Sequence, residues 1–116
     1  MTSDDDTARR LEHMLHNIDG AMNIVGDADL STYLDSFTMQ KATERCIEII
    51  SEASKNIPDA IKAEHPEIPW QSIRGVGNVF RHDYSDVDNH VVWLTVKVSL
   101  PELRPVIIKL LARYKR

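Results

Sequence analysis

Apolar side chains recur at intervals of three and four residues along most of this chain, and that spacing belongs to helices. Leu11, Met14, Leu15, Ile18, Met22 and Val25 line one stripe, so a helix is expected from about Asp5 to Val25. Asp4, Asp5 and Asp6 then stand at its N-terminus, where the helix dipole favours negative charge, and read as a cap rather than a partner-binding tail. Gly26-Asp27-Ala28-Asp29 breaks the pattern. A second helix is expected to begin between Ser31 and Ser36, to end near Asn56, and to carry Phe37, Ala42, Cys46, Ile49, Ile50 and Ala53 inward. Pro58 suits the first turn of a short helix ending near His65. Pro66-Glu67-Ile68-Pro69 is a stiff connector into a helix from Pro69 to about Tyr84.

Beyond the turn Ser85-Asp86-Val87-Asp88, Asp88 is placed to cap a segment carrying Val91, Val92, Leu94, Val96 and Val98. Its β-branched residues and Trp93 would suit a strand, but nothing else in the chain offers a strand to pair with, so a helix is expected. Ser99-Leu100-Pro101-Glu102 has the form of a capping box opening a last helix, its start delayed by Pro105, with Val106, Ile107, Leu110 and Leu111 as its buried stripe. The sum is a single all-α domain, an up-and-down bundle of four main helices plus short ones. A length of 116 residues suits one hydrophobic core.

The formal net charge of -4 argues against indiscriminate binding to nucleic acid, so any polyanion must be met by a local patch. Arg74, Arg81 and His82 form one such patch, and Arg113, Lys115 and Arg116 another. No apolar run approaches the roughly 20 residues that span a bilayer, and the acidic N-terminus is the reverse of a signal peptide. A cytoplasmic protein without a membrane partner is expected. The single Cys46 cannot form an internal disulfide and is expected to be a buried structural thiol. His13, His16, His65 and His90 are scattered without metal-ligand spacing, so neither metal nor cofactor is expected. Trp70 and Trp93 read as core anchors rather than platforms for bases.

The segment from Arg74 to Tyr84 concentrates the chemistry. On a helix Arg74, Asn78 and His82 fall at i, i+4 and i+8, one polar stripe, while Val76, Val79 and Phe80 turn the other way. Gly75 and Gly77 each cost about 1 kcal/mol relative to Ala in a helix interior, so something is expected to approach that backbone closely. The plainer alternative is that the glycines admit a neighbouring helix and the stripe is an ordinary solvated face, with His82 a helix-terminal histidine.

Ile68-Pro69-Trp70, then Gly75-Val76-Gly77-Asn78-Val79-Phe80-Arg81-His82-Asp83-Tyr84, then Val87-Asp88, Val92-Trp93 and Leu100-Pro101-Glu102-Leu103 together resemble the HepT-type toxins of the HEPN superfamily. Cys46-Ile47-Glu48-Ile49-Ile50-Ser51-Glu52-Ala53-Ser54-Lys55 also resembles that family's second long helix. The resemblance implies a helical homodimer whose two motif helices face each other across a cleft, and a metal-independent ribonuclease acting on RNA. It gives His82 the role of base or acid, Asn78 that of the polar partner, and Tyr84 that of acceptor of AMP groups from an MNT-type nucleotidyltransferase antitoxin. The position of the family's motif Arg holds Gly77. Arg74, one turn earlier, is the favoured replacement, since the missing Cβ at 77 would open the surface its side chain crosses; Arg81, one turn later, is the other candidate. The alternative is a catalytically degenerate domain serving as partner and scaffold of the nucleotidyltransferase.

Overall fold

The computed structural model describes residues 4–82 and 88–114, with the side chains of residues 78–82 outside the description. In chain order the elements are α1 (Asp4–Val25), α2 (Leu30–Leu34), α3 (Phe37–Ser54), α4 (Asp59–Ala63), α5 (Trp70–His82), α6 (Asn89–Leu94), a π-helical turn (Thr95–Ser99) and α7 (Leu100–Tyr114). The described residues contain no strand, and the all-α bundle expected from the periodicity is what forms.

Asp4, Asp5 and Asp6 occupy the first turn of α1. The helix ends where Gly26 takes a positive φ of 52°, a conformation that costs an L side chain. The expected second helix is two. Asp29 caps α2 by accepting from the Thr32 amide, and Ser36 caps α3 by accepting from the Met39 amide. At the corner, the Gln40 amide donates to the carbonyls of Tyr33 and Leu34.

α1 packs against both α3 and α7, and α3 in turn carries α5 on another flank. Leu11, Met14 and Ile18 meet Ile47 and Ile50 and the apolar stripe of α7 in one core cluster. Each such burial contributes about 1.5–3 kcal/mol before chain entropy is counted.

Two expectations are corrected. Phe37 does not turn inward: it is 71% exposed at the start of α3, with the Lys41 ammonium 5.4 Å from the ring centroid. Ala42, Cys46 and Ile49 are only half-buried, and the fully buried face is instead Thr43, Ile47, Ile50, Ser51 and Ser54. Small hydroxyl residues can occupy it because each finds an acceptor: Thr43 donates to the Met39 carbonyl at 2.8 Å, Ser54 to that of Ser51 at 2.7 Å, and Ser51 to that of Arg74 at 2.9 Å.

The last helix, α7, begins at Leu100 as expected, but it is entered from helical backbone rather than from a capped start, and Pro105 does not delay it. Asp88 caps α6 as expected, and the chain then stays helical through the π turn into α7, with Pro105 inside it. Pro101 has no N–H for the carbonyl of Lys97 and its ring would crowd that group, a conflict that the wider turn relieves. Val92, Val96, Leu100, Leu103, Ile107 and Leu110 form one buried stripe across the junction, which a fresh start would have interrupted.

Candidate functional site

α5 is the element on which the sequence places the chemistry, and α3 sets its position. Ile73 and Val76 pack on the core cluster, while Arg74 is exposed. Gly77 is buried against α3: a Cβ there would stand 2.3 Å from Ser51 Oγ and 2.5 Å from Ser51 Cβ. Gly75 has nothing within 4 Å of an added Cβ. Of the two glycines, only Gly77 answers to a close approach. The gap it leaves is filled by Ser51, which corrects the expectation that the Arg74 side chain crosses it.

The helix is continuous from Trp70 to His82, so Arg74, Asn78 and His82 succeed one another at single-turn intervals. Arg81 shares the last turn with His82. The side chains of Asn78, Val79, Phe80, Arg81 and His82 lie outside the described residues, as do Asp83 and Tyr84 altogether. Arg74 is therefore the one candidate whose side chain can be placed.

Two further surfaces could matter for function. One is a small apolar cleft of about 60 Å3 between α3, α5 and the α6–α7 segment, where Ile50, Ile73, Val76 and Leu103 are joined by Thr95 and Ser99 of the π turn. It has room for water-sized guests and not for a nucleotide. The other is an unpartnered stripe on the last helical segment: Val91, Leu94 and Val98, at i, i+3 and i+7, are 49%, 51% and 51% exposed. The sequence lists the apolar residues of this segment without dividing them between faces; the signal that divides them is that Val92 and Val96 continue the α7 stripe, which leaves Val91, Leu94 and Val98 outward.

Both tryptophans have structural partners. The Trp70 indole N–H donates to the His65 carbonyl at 3.1 Å and that of Trp93 to the Ala28 carbonyl at 3.3 Å, both rings half-buried against the core. Burial pushes the Cys46 thiol above its usual range, with Arg45 countering in part, which is the reverse of what a nucleophilic thiolate needs. Among the described residues, no group of three or more His, Cys, Asp or Glu side chains gathers where it could hold a metal ion, and no helix is long and apolar enough to cross a membrane.

Most of the chain matches known proteins in sequence. The family model for HepT-like ribonucleases matches residues 14–110. The chain is 37% identical over 94 residues to a protein of Thermococcus cleftensis named "Probable ribonuclease HepT", covering 78% of this chain and 86% of that one. Two others carry provisional names as RNases: one of Methanocaldococcus jannaschii, 33% identical over 94 residues and 81% of each chain, and one of Caldanaerobacter subterraneus subsp. tengcongensis, 29% identical over 105 residues, 90% of this chain and 94% of that one. No solved structure matches. The family match runs from the middle of α1 almost to the end of α7 and takes in all of α5, so this chain belongs to the HepT-like ribonuclease family.

Proposed function

We propose that the protein is the ribonuclease toxin of a HEPN and MNT toxin-antitoxin pair, a homodimer that cleaves RNA without a metal and is neutralised by complex formation with the antitoxin and by adenylylation of Tyr84. The observation that carries the reading is the family match across α5, the helix that holds Arg74, Asn78, Arg81 and His82.

The chemistry assigns a role to each residue. His82, as base, removes the proton of a ribose 2′-hydroxyl; the freed oxygen attacks the adjacent phosphorus, and the bond to the 5′-oxygen breaks as that oxygen receives a proton from an imidazolium. An imidazole with an ordinary pKa near ~6.5 serves either step at neutral pH, and in a dimer the two copies of His82 can divide them. The charge that builds on the phosphate requires a donor fork, which Arg74 or Arg81 supplies, with Asn78 orienting the phosphate or the imidazole. The exposed stripe Val91, Leu94 and Val98 supports the dimer, since apolar surface of that kind is stabilised by burial against a second copy.

A second reading is favoured by one observation. The slot at Gly77, where the family carries its motif Arg, is occupied by Ser51 and has no room for a side chain. A domain that has lost this charge could remain as binding partner and scaffold of the nucleotidyltransferase. Both readings are tested by incubating the purified dimer with labelled RNA in excess chelator, beside His82→Ala and Arg74→Ala. Cleavage by the unsubstituted protein that disappears with His82→Ala is the expected result. A folded dimer that never cuts RNA would establish the scaffold reading instead.

A further inference from the structure

At its N-terminal end α5 walls a second hollow, between α4, the Pro-rich connector and its own first turns, of about 500 Å3. Its charged members are Lys62 of α4, Arg74 of α5 and Asp59, two cations to one carboxylate. Glu64, two residues beyond Lys62, is engaged by the Arg113 guanidinium of α7 through contacts of 3.0 and 3.2 Å, which offsets its charge. The lining residues alone therefore carry one net positive charge in a chain of net charge -4; Glu67 of the connector lies 3.5 Å from the His65 imidazole, and the dipole of α5 adds a positive sign at the hollow.

Trp70 and Gln71 complete the wall. The one polar group of Trp70 is spent on the His65 carbonyl, which also fixes the ring. What the half-buried indole leaves for a ligand is carbon surface, the kind on which a base stacks. Gln71, exposed beside it, brings amide donors and an acceptor suited to base edges. An acidic peptide would use the two cations and leave the ring without a role, whereas a nucleic acid strand uses all of them.

We propose that this hollow is a binding site for single-stranded RNA, with Lys62 and Arg74 meeting phosphates and Trp70 stacking a base. The proposal rests on the ribonuclease reading, which runs the substrate along α5. Trp70 and His82 are the first and last residues of this 13-residue helix, about 18 Å apart along its axis, a span of a few nucleotides. Arg74 stands between them along the helix.

The test measures binding of a short labelled single-stranded RNA to the full chain carrying His82→Ala, so that the strand stays intact. Adding Lys62→Glu is expected to weaken binding about tenfold and to lower the slope of log affinity against log salt by about 1. Arg9→Glu, on α1, makes the same change of charge away from the hollow and leaves both unchanged. In a Trp93→Phe background the remaining indole is Trp70, and RNA is expected to quench its fluorescence. Equal affinity with and without Lys62→Glu overturns the site while leaving the ribonuclease reading intact. Displacement of the RNA by polyglutamate of equal charge, without quenching, also overturns it and makes the hollow an acidic-peptide site. Binding that depends on Lys62 in a protein that never cleaves RNA keeps the site and sinks the ribonuclease reading.

Discussion

Ser51 of α3 stands in the space that a Cβ on Gly77 of α5 would occupy, and its hydroxyl donates to the carbonyl of Arg74 one turn before that glycine. The two residues fix how far α5 is rotated on α3, and so which residues of the motif helix meet the core and which meet solvent. Gly77→Ala is expected to destabilise the bundle by about 1–3 kcal/mol, since Ser51 cannot turn aside without losing its acceptor. Gly75→Ala, with nothing within 4 Å of the new Cβ, is expected to stabilise it by up to about 1 kcal/mol. Urea unfolding of the two variants checks the opposite signs. Two equal shifts would mean that the helices do not pack at Gly77.

This contact marks where the sequence is hard to read. The polar stripe of α5 and the apolar stripe of α1 are visible because their residues differ sharply in hydropathy. The buried face of α3 includes Thr43, Ser51 and Ser54, which hydropathy assigns to solvent and which are buried because each hydroxyl bonds a nearby carbonyl. That left Phe37 and Cys46 as the apparent inward residues. The continuity of α6 into α7 was legible in principle, through Val92, Val96, Leu100 and Leu103, but the local capping pattern at Ser99 outweighed a stripe whose spacing shifts across a π turn. Asp88 as a cap was read correctly because a cap depends on its own side chain and the next few amides. Of the candidate site, the sequence could name residues but not the Ser51 partner, which lies 23 positions from the carbonyl it binds.

Tyr33 and Cys46 are expected to make the fold sensitive to alkali. Burial raises the pKa of each, with the Thr43 hydrogen bond pulling Tyr33 partly back and Arg45 doing the same for Cys46. Both groups are neutral when protonated, so their folded pKa values lie above the unfolded ones. Their contribution is complete below the unfolded values of about 8.5 for Cys and 10 for Tyr, and is lost as pH rises through the folded values. The melting temperature is expected to fall in two stages between about pH 8 and pH 11. Cys46→Ala should remove the first stage and Tyr33→Phe the second. Thr43 keeps its acceptor on Met39 in the latter variant, so little else changes. A melting temperature flat across that range would contradict the assignment.

The exposed stripe Val91, Leu94 and Val98 gives the proposed homodimer a specific test. Leu94→Asp places a charge at its centre and is expected to raise the dimer dissociation constant at least about tenfold, a penalty of about 1.4 kcal/mol. Sedimentation velocity over a concentration series reads this directly. Because the proposed cleft needs α5 from both copies, RNA cleavage is expected to fall with the dimer fraction. A Leu94→Asp protein that remains dimeric would move the interface to another face.

Tyr84 carries the proposed regulation. Its phenol oxygen would attack the α-phosphorus of ATP, forming a phosphodiester to AMP and releasing pyrophosphate, while the phenolic proton passes to a base of the nucleotidyltransferase. The product adds a negative charge two residues beyond His82, where an approaching RNA phosphate would be repelled. Incubation with the antitoxin and ATP is expected to raise the mass of the unsubstituted protein by AMP units and to suppress its cleavage of RNA. Tyr84→Phe, which keeps the ring and removes only the oxygen, should show no mass increase and should remain active under the same conditions unless the antitoxin holds it in a complex. Gel filtration of that mixture separates the two modes of control. A mass increase that persists in Tyr84→Phe would place the modification on another residue.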